Sequence, residues 1–198
     1  MLFRSHMRKV IYVTLAQFCE DDERPRQLLQ NAGFEVRENK SGIRMKRAAL
    51  LQELADVDGV LAAVEEYDAL LLESLPRLRC ISRCGVGTDS IDLDAAARLH
   101  VAVRNTPEEV VQPVAEMTVA MMLSLARNFP LHASVLHTGQ WRRYPSFMLS
   151  EWTIGLLGFG RIGRAVASRL RPFATSIIAA DPAMAIGSVV EDRKSTRL

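Results

Sequence analysis

The sequence predicts an α/β fold built on parallel strands. Through the first hundred residues, short apolar runs alternate with segments whose apolar residues recur at helical spacing. This alternation is typical of a doubly wound parallel sheet with helices on both faces. A further strand–helix–strand unit, rich in glycine, begins near residue 153. The chain has 198 residues, of which 48% are hydrophobic, and can therefore bury a core in one or two domains.

Strands and helices alternate in the first part of the chain. Asp21 or Asp22 is placed to cap a first helix that ends at Gly33, and Pro76 ends a third one. The strands are predicted over residues 9–15, 34–37, 58–62, 78–82 and 101–103, and the remaining helices over residues 46–55, 67–75 and 92–99. These elements predict one doubly wound domain that ends near residue 105.

The segment that follows has a different pattern. Thr106 is a suitable cap residue, and Pro107 and two acids then favour the start of a helix. Residues 110–125 are apolar around most of the helix circumference, with Pro113 near the beginning as a point where the helix could break. Such a helix is expected to be buried between domains or in a subunit interface. A second helix is predicted over residues 131–138.

A glycine-rich turn joins the next strand to its helix. Residues 154–157 predict a buried parallel strand, and a second apolar strand at Ser176–Ala180 ends on Asp181. A G-x-G-x-x-G pattern in this strand–helix context, followed by an acid after the next strand, is typical of a dinucleotide-binding turn. The turn consists of Gly158, Phe159, Gly160, Arg161, Ile162 and Gly163.

The residue types of this turn suit the binding of NAD. Gly158 permits a tight turn, Gly160 lets the backbone approach a pyrophosphate, and Gly163 lets the helix pack closely on the strand. The helix N-terminus presents free N–H groups to the phosphates. Asp181 can accept hydrogen bonds from the ribose hydroxyls and would repel a 2′-phosphate, which favours NAD over NADP. The alternative interpretation is a glycine-rich turn that binds no ligand.

The two ends of the chain differ from the rest. Residues 192–198 show no apolar periodicity, and the back-translations of residues 1–5 and 192–198 resemble one sequencing adapter in opposite orientations. We therefore expect both ends to be non-native; the alternative is a disordered basic tail. Without them the net charge falls from +2 to −1, so the apparent basicity gives no support for nucleic-acid binding.

Composition also indicates the compartment. Cys19, Cys80 and Cys84 form no C-x-x-C pair, which favours a reduced, cytoplasmic protein. No stretch resembles a membrane span, and the first apolar run is too short for a signal peptide. The four histidines show no metal-ligand spacing, so no metal site is predicted.

Taken together, these motifs resemble those of the D-isomer-specific 2-hydroxyacid dehydrogenases, most closely the members like phosphoglycerate dehydrogenase. The resemblance runs from about Arg8 to Pro182. Besides the glycine turn, its markers are the run from Arg83 to Asp92, Asn105-Thr106-Pro107, Val114-Ala115-Glu116, Gly139 with Trp141, and Asp181-Pro182. The order and spacing of these markers are more specific than the glycine turn alone.

The resemblance implies two domains and a homodimer. Residues 6–105 would form a flavodoxin-like substrate-binding domain. Residues 106–191 would form an incomplete Rossmann NAD-binding domain, with interdomain or dimerisation helices at residues 106–150. The buried helix predicted there is consistent with a dimer, because so much apolar helix surface needs a partner.

The resemblance also implies a site for the substrate carboxylate. The loop Gly85, Val86 and Gly87 would offer backbone N–H groups to it, since glycines after a strand let amides converge on an anion. Arg83 is a further candidate, although it could instead pair with Asp89 and shape the loop. The alternative interpretation of this segment is a tight connection whose aspartates only cap the next helix.

The chemistry implied is hydride transfer between C2 of a D-2-hydroxy acid and the nicotinamide of NAD. In this family a histidine, a carboxylate and an arginine perform the catalysis, and we expect them downstream of Leu198. His100, His132 and His137 do not match the position of that histidine, so no catalytic residue is named and the chain itself is expected to be inactive.

The substrate is less well defined. It could be 3-phosphoglycerate, for which Arg44, Lys46 or Arg83 could supply the cation that a phosphate needs. Three other functions fit the same residues: a related formate or phosphite dehydrogenase, an NAD-sensing corepressor, and a nucleotide-binding module without catalysis.

Overall fold

The computed structural model describes residues 8–183. They divide into two compact units, the first ending at Pro107 and the second beginning at Glu108. The ends predicted to be non-native, residues 1–5 and 192–198, lie outside the described residues, as does the last part of the predicted NAD-binding domain.

The first unit is a five-stranded parallel sheet in the order β2-β1-β3-β4-β5, which is the strand order of flavodoxin-like folds. The α/β fold with a parallel sheet that the sequence predicts is therefore confirmed. Its strands are β1 Val10–Val13, β2 Glu35–Glu38, β3 Gly59–Ala62, β4 Cys80–Arg83 and β5 Ala102–Asn105, and its helices are α1 Arg24–Asn31, α2 Arg47–Glu53, α3 Ala69–Glu73 and α4 Leu93–Arg98.

Aspartate side chains begin two of these helices. Asp68 accepts a hydrogen bond from the Leu71 amide at the start of α3, and Asp92 accepts one from the Ala95 amide at the start of α4. At α1 the N-cap position belongs to Glu23, whose side chain makes no capping bond. Asp22 instead accepts from the Arg24 amide, so this predicted capping residue acts one position outside the cap.

The core of the first unit lies between the sheet and its helices. Leu71 and Leu72 of α3 are buried with strand residues such as Val60 and Ile81 in one cluster. The neighbouring Leu70 is 67% exposed. Consecutive positions on α3 thus point to different faces of the helix, one covered by the sheet and one exposed.

This contrast provides a test of the fold. We expect Leu71→Ala to lower the free energy of unfolding by about 2–5 kcal/mol, because it leaves a cavity in a closed cluster. Leu70→Ala is the matched control, and we expect it to change the stability by less than about 0.5 kcal/mol. Urea denaturation of both variants checks the result, and equal losses would contradict the packing described.

The described part of the second unit contains two parallel strands and three α-helices. Its elements are α5 Val111–Ala126, α6 Phe129–His137, β6 Thr153–Leu157, α7 Arg161–Leu170 and β7 Ser176–Ala180, with short 3₁₀ turns at Leu149–Glu151 and Arg171–Phe173. Pro113 lies in the first turn of α5, where its missing N–H would have had no intrahelical acceptor, and it does not break the helix.

Strand β6 differs from the continuous buried strand that the sequence predicts. Ile154 and Leu156 are buried among residues of α5 and α7, whereas Leu157 is 94% exposed. In the described part of the chain only one face of this two-stranded sheet is covered. The apolar run therefore alternates between buried and exposed residues, as side chains on a strand covered on one face do.

Within residues 8–183, no helix has both the length and the apolar character needed to cross a lipid bilayer.

Candidate functional site

The three glycines of the turn after β6 occupy three different environments. Gly158 has a φ of +96°, a conformation that favours glycine. A Cβ at Gly163 would lie in severe steric conflict with the Gly158 carbonyl oxygen, so α7 can approach β6 only because this residue has no side chain. At Gly160 the φ is negative, and no described atom lies within 4 Å of where a Cβ would be. Neither backbone strain nor packing therefore explains Gly160.

The rest of the turn directs amides outward from α7. Gly160 is the N-cap, and the amides of Arg161, Ile162 and Gly163 belong to the first turn, where helices lack internal acceptors. Ile162 and Phe159 pack against the apolar cluster of the second unit and fix the turn. The predicted cofactor residue Arg161 forms an ion pair with Glu108 and remains half-exposed.

Asp181 is bound to the same turn. One carboxylate oxygen accepts a hydrogen bond from the Phe159 amide at 2.6 Å, and the other accepts one from the Ala183 amide at 2.8 Å. These two bonds, with a smaller contribution from the charge of Arg164, hold the pKa of Asp181 below its usual range. The structure therefore places the predicted acid next to the glycine turn, ionised and with lone pairs still available.

The loop after β4 is fixed by the residues that end β5. The Gly85 amide donates to Thr106 Oγ1 at 2.8 Å, and the Val86 carbonyl accepts from Asn105 Nδ2 at 2.7 Å. Gly85 is consequently not a free amide donor, contrary to the expectation for the whole loop. The Val86 and Gly87 amides, in contrast, donate no hydrogen bond to any of residues 8–183.

Thr106 has a different role from the one its sequence context predicts. It does not cap a helix, because α5 begins at Val111 with Val110 in the N-cap position. Its hydroxyl accepts the Gly85 amide instead. Sequence reasoning missed this contact, and no local pattern indicates it, since the two residues are 21 positions apart and meet only because β4 and β5 are neighbours.

Arg83 ends β4 and folds back over the loop. Its Nη1 donates to the carbonyl of the adjacent Cys84, and a Cβ at Gly85 would lie 2.9 Å from this nitrogen. The alternative pairing of Arg83 with Asp89 does not occur among the described contacts. The glycine loop and the Arg83 guanidinium thus lie together at the carboxyl end of β4, where ligands of such sheets bind.

The other two predicted cations, Arg44 and Lys46, line a separate cavity of about 450 Å³, which Arg47 also lines. Arg44, Lys46 and Arg47 surround it together with Glu66, and Arg44 lies 3.4 Å from that carboxylate. Arg83 does not line this cavity. Among residues 8–183 no group of three histidine, cysteine or carboxylate side chains could hold a metal ion.

Comparison with known proteins gives the family. Residues 15–191 match the catalytic domain of the D-isomer specific 2-hydroxyacid dehydrogenases. The chain belongs to this family, as the motifs indicate.

The relatives are longer than this chain. Human D-3-phosphoglycerate dehydrogenase is 35% identical over 161 residues, which are 79% of this chain and 30% of the human protein. Among solved structures, a protein from Thermus thermophilus is 26% identical with a TM-score of 0.75, covering 87% of this chain and 57% of that one. A Staphylococcus aureus NAD-dependent formate dehydrogenase in complex with NAD is 26% identical with a TM-score of 0.72, covering 88% and 56%.

The different environments of Gly163 and Gly160 can be tested by measuring the stability of alanine variants. We expect Gly163→Ala to lower the free energy of unfolding by about 1–3 kcal/mol, because the methyl group overpacks a backbone contact. We expect Gly160→Ala to leave stability nearly unchanged, because the methyl group projects into open space. Thermal melts of both variants measure this, and a large loss in Gly160→Ala would show that this glycine serves the fold.

Proposed function

We propose that the second unit binds NAD through the turn at residues 158–163 and Asp181. The observation that carries the proposal is Gly160, whose missing side chain neither the backbone conformation nor any protein contact requires. The open space at Gly160 lies beside the N-terminal amides of α7. A pyrophosphate could approach the backbone there. The ionised Asp181 beside the turn fits the ribose hydroxyls.

We further propose that the protein is an NAD-dependent dehydrogenase of a D-2-hydroxy acid. Bound NAD would supply the hydride acceptor. The chain's own contribution in the first unit is to hold the acid: the Val86 and Gly87 amides and the Arg83 guanidinium would bind and orient the substrate carboxylate. Family membership supports this reaction class, and the geometry of the loop supports the role of these residues.

Binding and turnover need separate measurements. We expect the 198-residue chain to bind NAD in isothermal titration calorimetry but not to reduce it, because His100, His132 and His137 do not match the position of the family's catalytic histidine. Reduction of NAD with D-2-hydroxy acids is measured on the natural gene product. A formate assay tests the alternative suggested by the S. aureus neighbour. Binding without turnover in the natural product would favour a corepressor or another non-catalytic module.

Asp181 should determine the choice between NAD and NADP. We expect Asp181→Asn to weaken NAD binding about tenfold or more, because a hydrogen bond to a charged group contributes about 1.5–3 kcal/mol. It should weaken NADP binding less, since the repelling charge is gone. Glu109→Gln, at an exposed acid of the same unit, is the control.

The pH dependence follows from the same carboxylate. Because the pKa of Asp181 is lowered, its carboxylate is protonated at a lower pH than that of an unperturbed aspartate. Preference for NAD over NADP should therefore be constant from neutral pH down to the usual aspartate range. Selectivity that declines above that range, or that Asp181→Asn leaves unchanged, would contradict the role of Asp181.

The substrate we propose to test first is 3-phosphoglycerate. The names of the curated relatives support it, and so does the cavity lined by Arg44, Lys46 and Arg47. Two of these cations already have acidic partners, Arg44 with Glu66 and Arg47 with Asp68. Lys46 makes no ion pair with a described residue, so Lys46→Met should weaken binding of this substrate more than binding of an unphosphorylated hydroxy acid.

We propose a homodimer formed through α5 and α6. Met117, Met121 and Leu125 follow one another at intervals of four residues on α5 and are 61%, 53% and 72% exposed. Spacing of four residues places them on one face of the helix. The opposite face carries Ala115 and Val119 into the core of the second unit. A second copy of the chain would cover the exposed face.

Sedimentation velocity can test this surface. We expect a concentration-dependent dimer for the original chain and a monomer for Met121→Glu, because a charge placed within an apolar interface is costly. Leu28→Glu, at an exposed leucine of the first unit, is the matched control and should leave the dimer intact. A chain that stays monomeric at all concentrations would contradict the proposal.

The cytoplasmic location indicated by the cysteines stays a prediction.

A further inference from the structure

Three buried polar atoms of the first unit have no hydrogen-bond partner among the described residues: Glu65 Oε1, Tyr67 Oη and Arg83 Nε. Glu65 and Tyr67 are 1% and 0% exposed. Unpaired polar atoms at such depth are costly and uncommon in folded proteins. All three belong to residues at the carboxyl edge of the sheet, beside the glycine loop.

The segment that carries Glu65 and Tyr67 is attached to the end of that loop. After β3 it crosses the edge of the sheet, where the Tyr67 amide donates to the Ser90 carbonyl at 2.7 Å and the Asp92 amide donates to the Tyr67 carbonyl at 2.9 Å. Tyr67 thereby forms a parallel bridge with Ile91. The positions of Tyr67 and of the glycine loop are therefore coupled through the backbone.

One carboxylate oxygen of Glu65 accepts a hydrogen bond, and the other accepts none from a described residue. Glu65 Oε2 accepts a hydrogen bond from Thr14 Oγ1 at 2.7 Å, and the same hydroxyl accepts from the Ala63 amide at 2.9 Å. Thr14 follows β1 and Ala63 follows β3, so this contact lies where the strand order reverses. In open α/β sheets the crevice at that point is the usual ligand site.

The unpaired atoms complement one another chemically. Arg83 Nε–H is a donor, Glu65 Oε1 is an acceptor, and the Tyr67 hydroxyl can be both. The charges of Glu65 and Arg83 also act on this hydroxyl in opposite directions: burial and then Glu65 raise the pKa of Tyr67, while the nearby Thr14 hydroxyl and then Arg83 lower it. The hydroxyl therefore lies within electrostatic range of both side chains.

We propose that Glu65 and Tyr67 are positioning residues for Arg83, acting through a chain in which Arg83 Nε–H donates to Tyr67 Oη and Tyr67 Oη–H donates to Glu65 Oε1. The chain closes when a ligand carboxylate engages the outer edge of the guanidinium. Hydrogen bonds of this kind are often long before the ligand binds and shorten in the complex. The inference rests on the proposed role of Arg83 and the glycine loop in binding the substrate.

Closure of this chain would fix the plane of the guanidinium. An arginine binds a carboxylate best in one plane, through two parallel hydrogen bonds. A guanidinium held at Nε, and at Nη1 by the Cys84 carbonyl, keeps the remaining N–H groups of its Nη atoms available for that geometry. The carboxylate of Glu65 would also balance the charge of Arg83 inside the fold, where an isolated carboxylate is unfavourable.

The test measures binding by the 198-residue chain, so that it does not depend on turnover. Pyruvate, a simple 2-oxo acid, is titrated against the ¹⁵N-labelled chain, and its Kd is obtained from the shifts of the Val86 and Gly87 amides. We expect Tyr67→Phe, which removes only the hydroxyl, to raise the Kd fivefold or more. Tyr12→Phe, at a buried tyrosine of β1 in the same sheet, is the matched control and should leave the Kd unchanged.

Two further variants show whether the effect passes through Arg83. Glu65→Gln keeps the shape of the side chain and an acceptor for Thr14, and we expect it to raise the Kd as well. In the pyruvate complex of the original chain, the Nε–H signal of Arg83, assigned by its loss in Arg83→Lys, should exchange slowly with water. It should exchange quickly in Tyr67→Phe and Glu65→Gln, and a purely structural role would not produce that change.

A double-mutant cycle separates the possible outcomes. If Tyr67 acts through Arg83, Tyr67→Phe should have no further effect in the Arg83→Lys background. Additive effects would contradict the proposed hydrogen-bond chain and leave the role of Arg83 intact. An unchanged Kd in Tyr67→Phe, together with weak binding by Arg83→Lys, would do the same. An unchanged Kd in Arg83→Lys would overturn both the proposed substrate role of Arg83 and the hydrogen-bond chain that positions it. Absence of binding by the original chain would overturn both.

Discussion

Parallel pairing of the strands is the constraint on which both candidate sites depend. Every strand pair in the two sheets is parallel, so the residues that follow the strands meet at one edge of each sheet. In the first unit this edge brings together Thr14, Glu65 and Arg83 from three different strand ends. In the second it brings Asp181, after β7, to the turn that follows β6. Antiparallel pairing would have placed these residues at opposite edges.

The loops at these edges are fixed by hydrogen bonds from their own amides. These bonds reduce the number of amide donors that remain for a ligand. The Gly85 amide is bound to Thr106, and the Phe159 amide is bound to Asp181. Each bond holds a glycine loop in place but uses one donor. An anion at the first loop would therefore meet Val86, Gly87 and the guanidinium of Arg83. Rigid placement of a few donors favours precise orientation over a large number of contacts.

The sequence was sufficient for those features that depend on neighbouring residues. The positions of the strands and helices, the cap formed by Asp92 and the glycine turn after β6 all arise from local periodicity, capping and backbone conformation. Asp181 could also be predicted, because its distance from the turn is set by one strand–helix–strand unit. These constraints act over a few residues or one repeat, and a single sequence displays them directly.

Contacts that depend on strand order could not be predicted in the same way. Thr106 looks like a helix cap, yet its partner is Gly85 on the neighbouring strand. Glu65, Tyr67 and Arg83 show no common pattern in the sequence, and they lie at the same edge of the sheet because β3 and β4 are adjacent. The exposure of Leu157 has the same origin, since it depends on which face of β6 is covered rather than on the apolar run itself.

The two sites also differ in how they keep their charges. Backbone amides are the main cause of the lowered pKa of Asp181, and the proposed discrimination against a 2′-phosphate would use the negative charge that they stabilise. Arg83 instead lies near Tyr67, on which the buried carboxylate of Glu65 also acts. Recognition of an acid at Arg83 would then depend on hydrogen-bond geometry more than on net attraction. The proposed NAD site would thus select its cofactor by charge, whereas the proposed acid site at Arg83 would orient its substrate by hydrogen bonds.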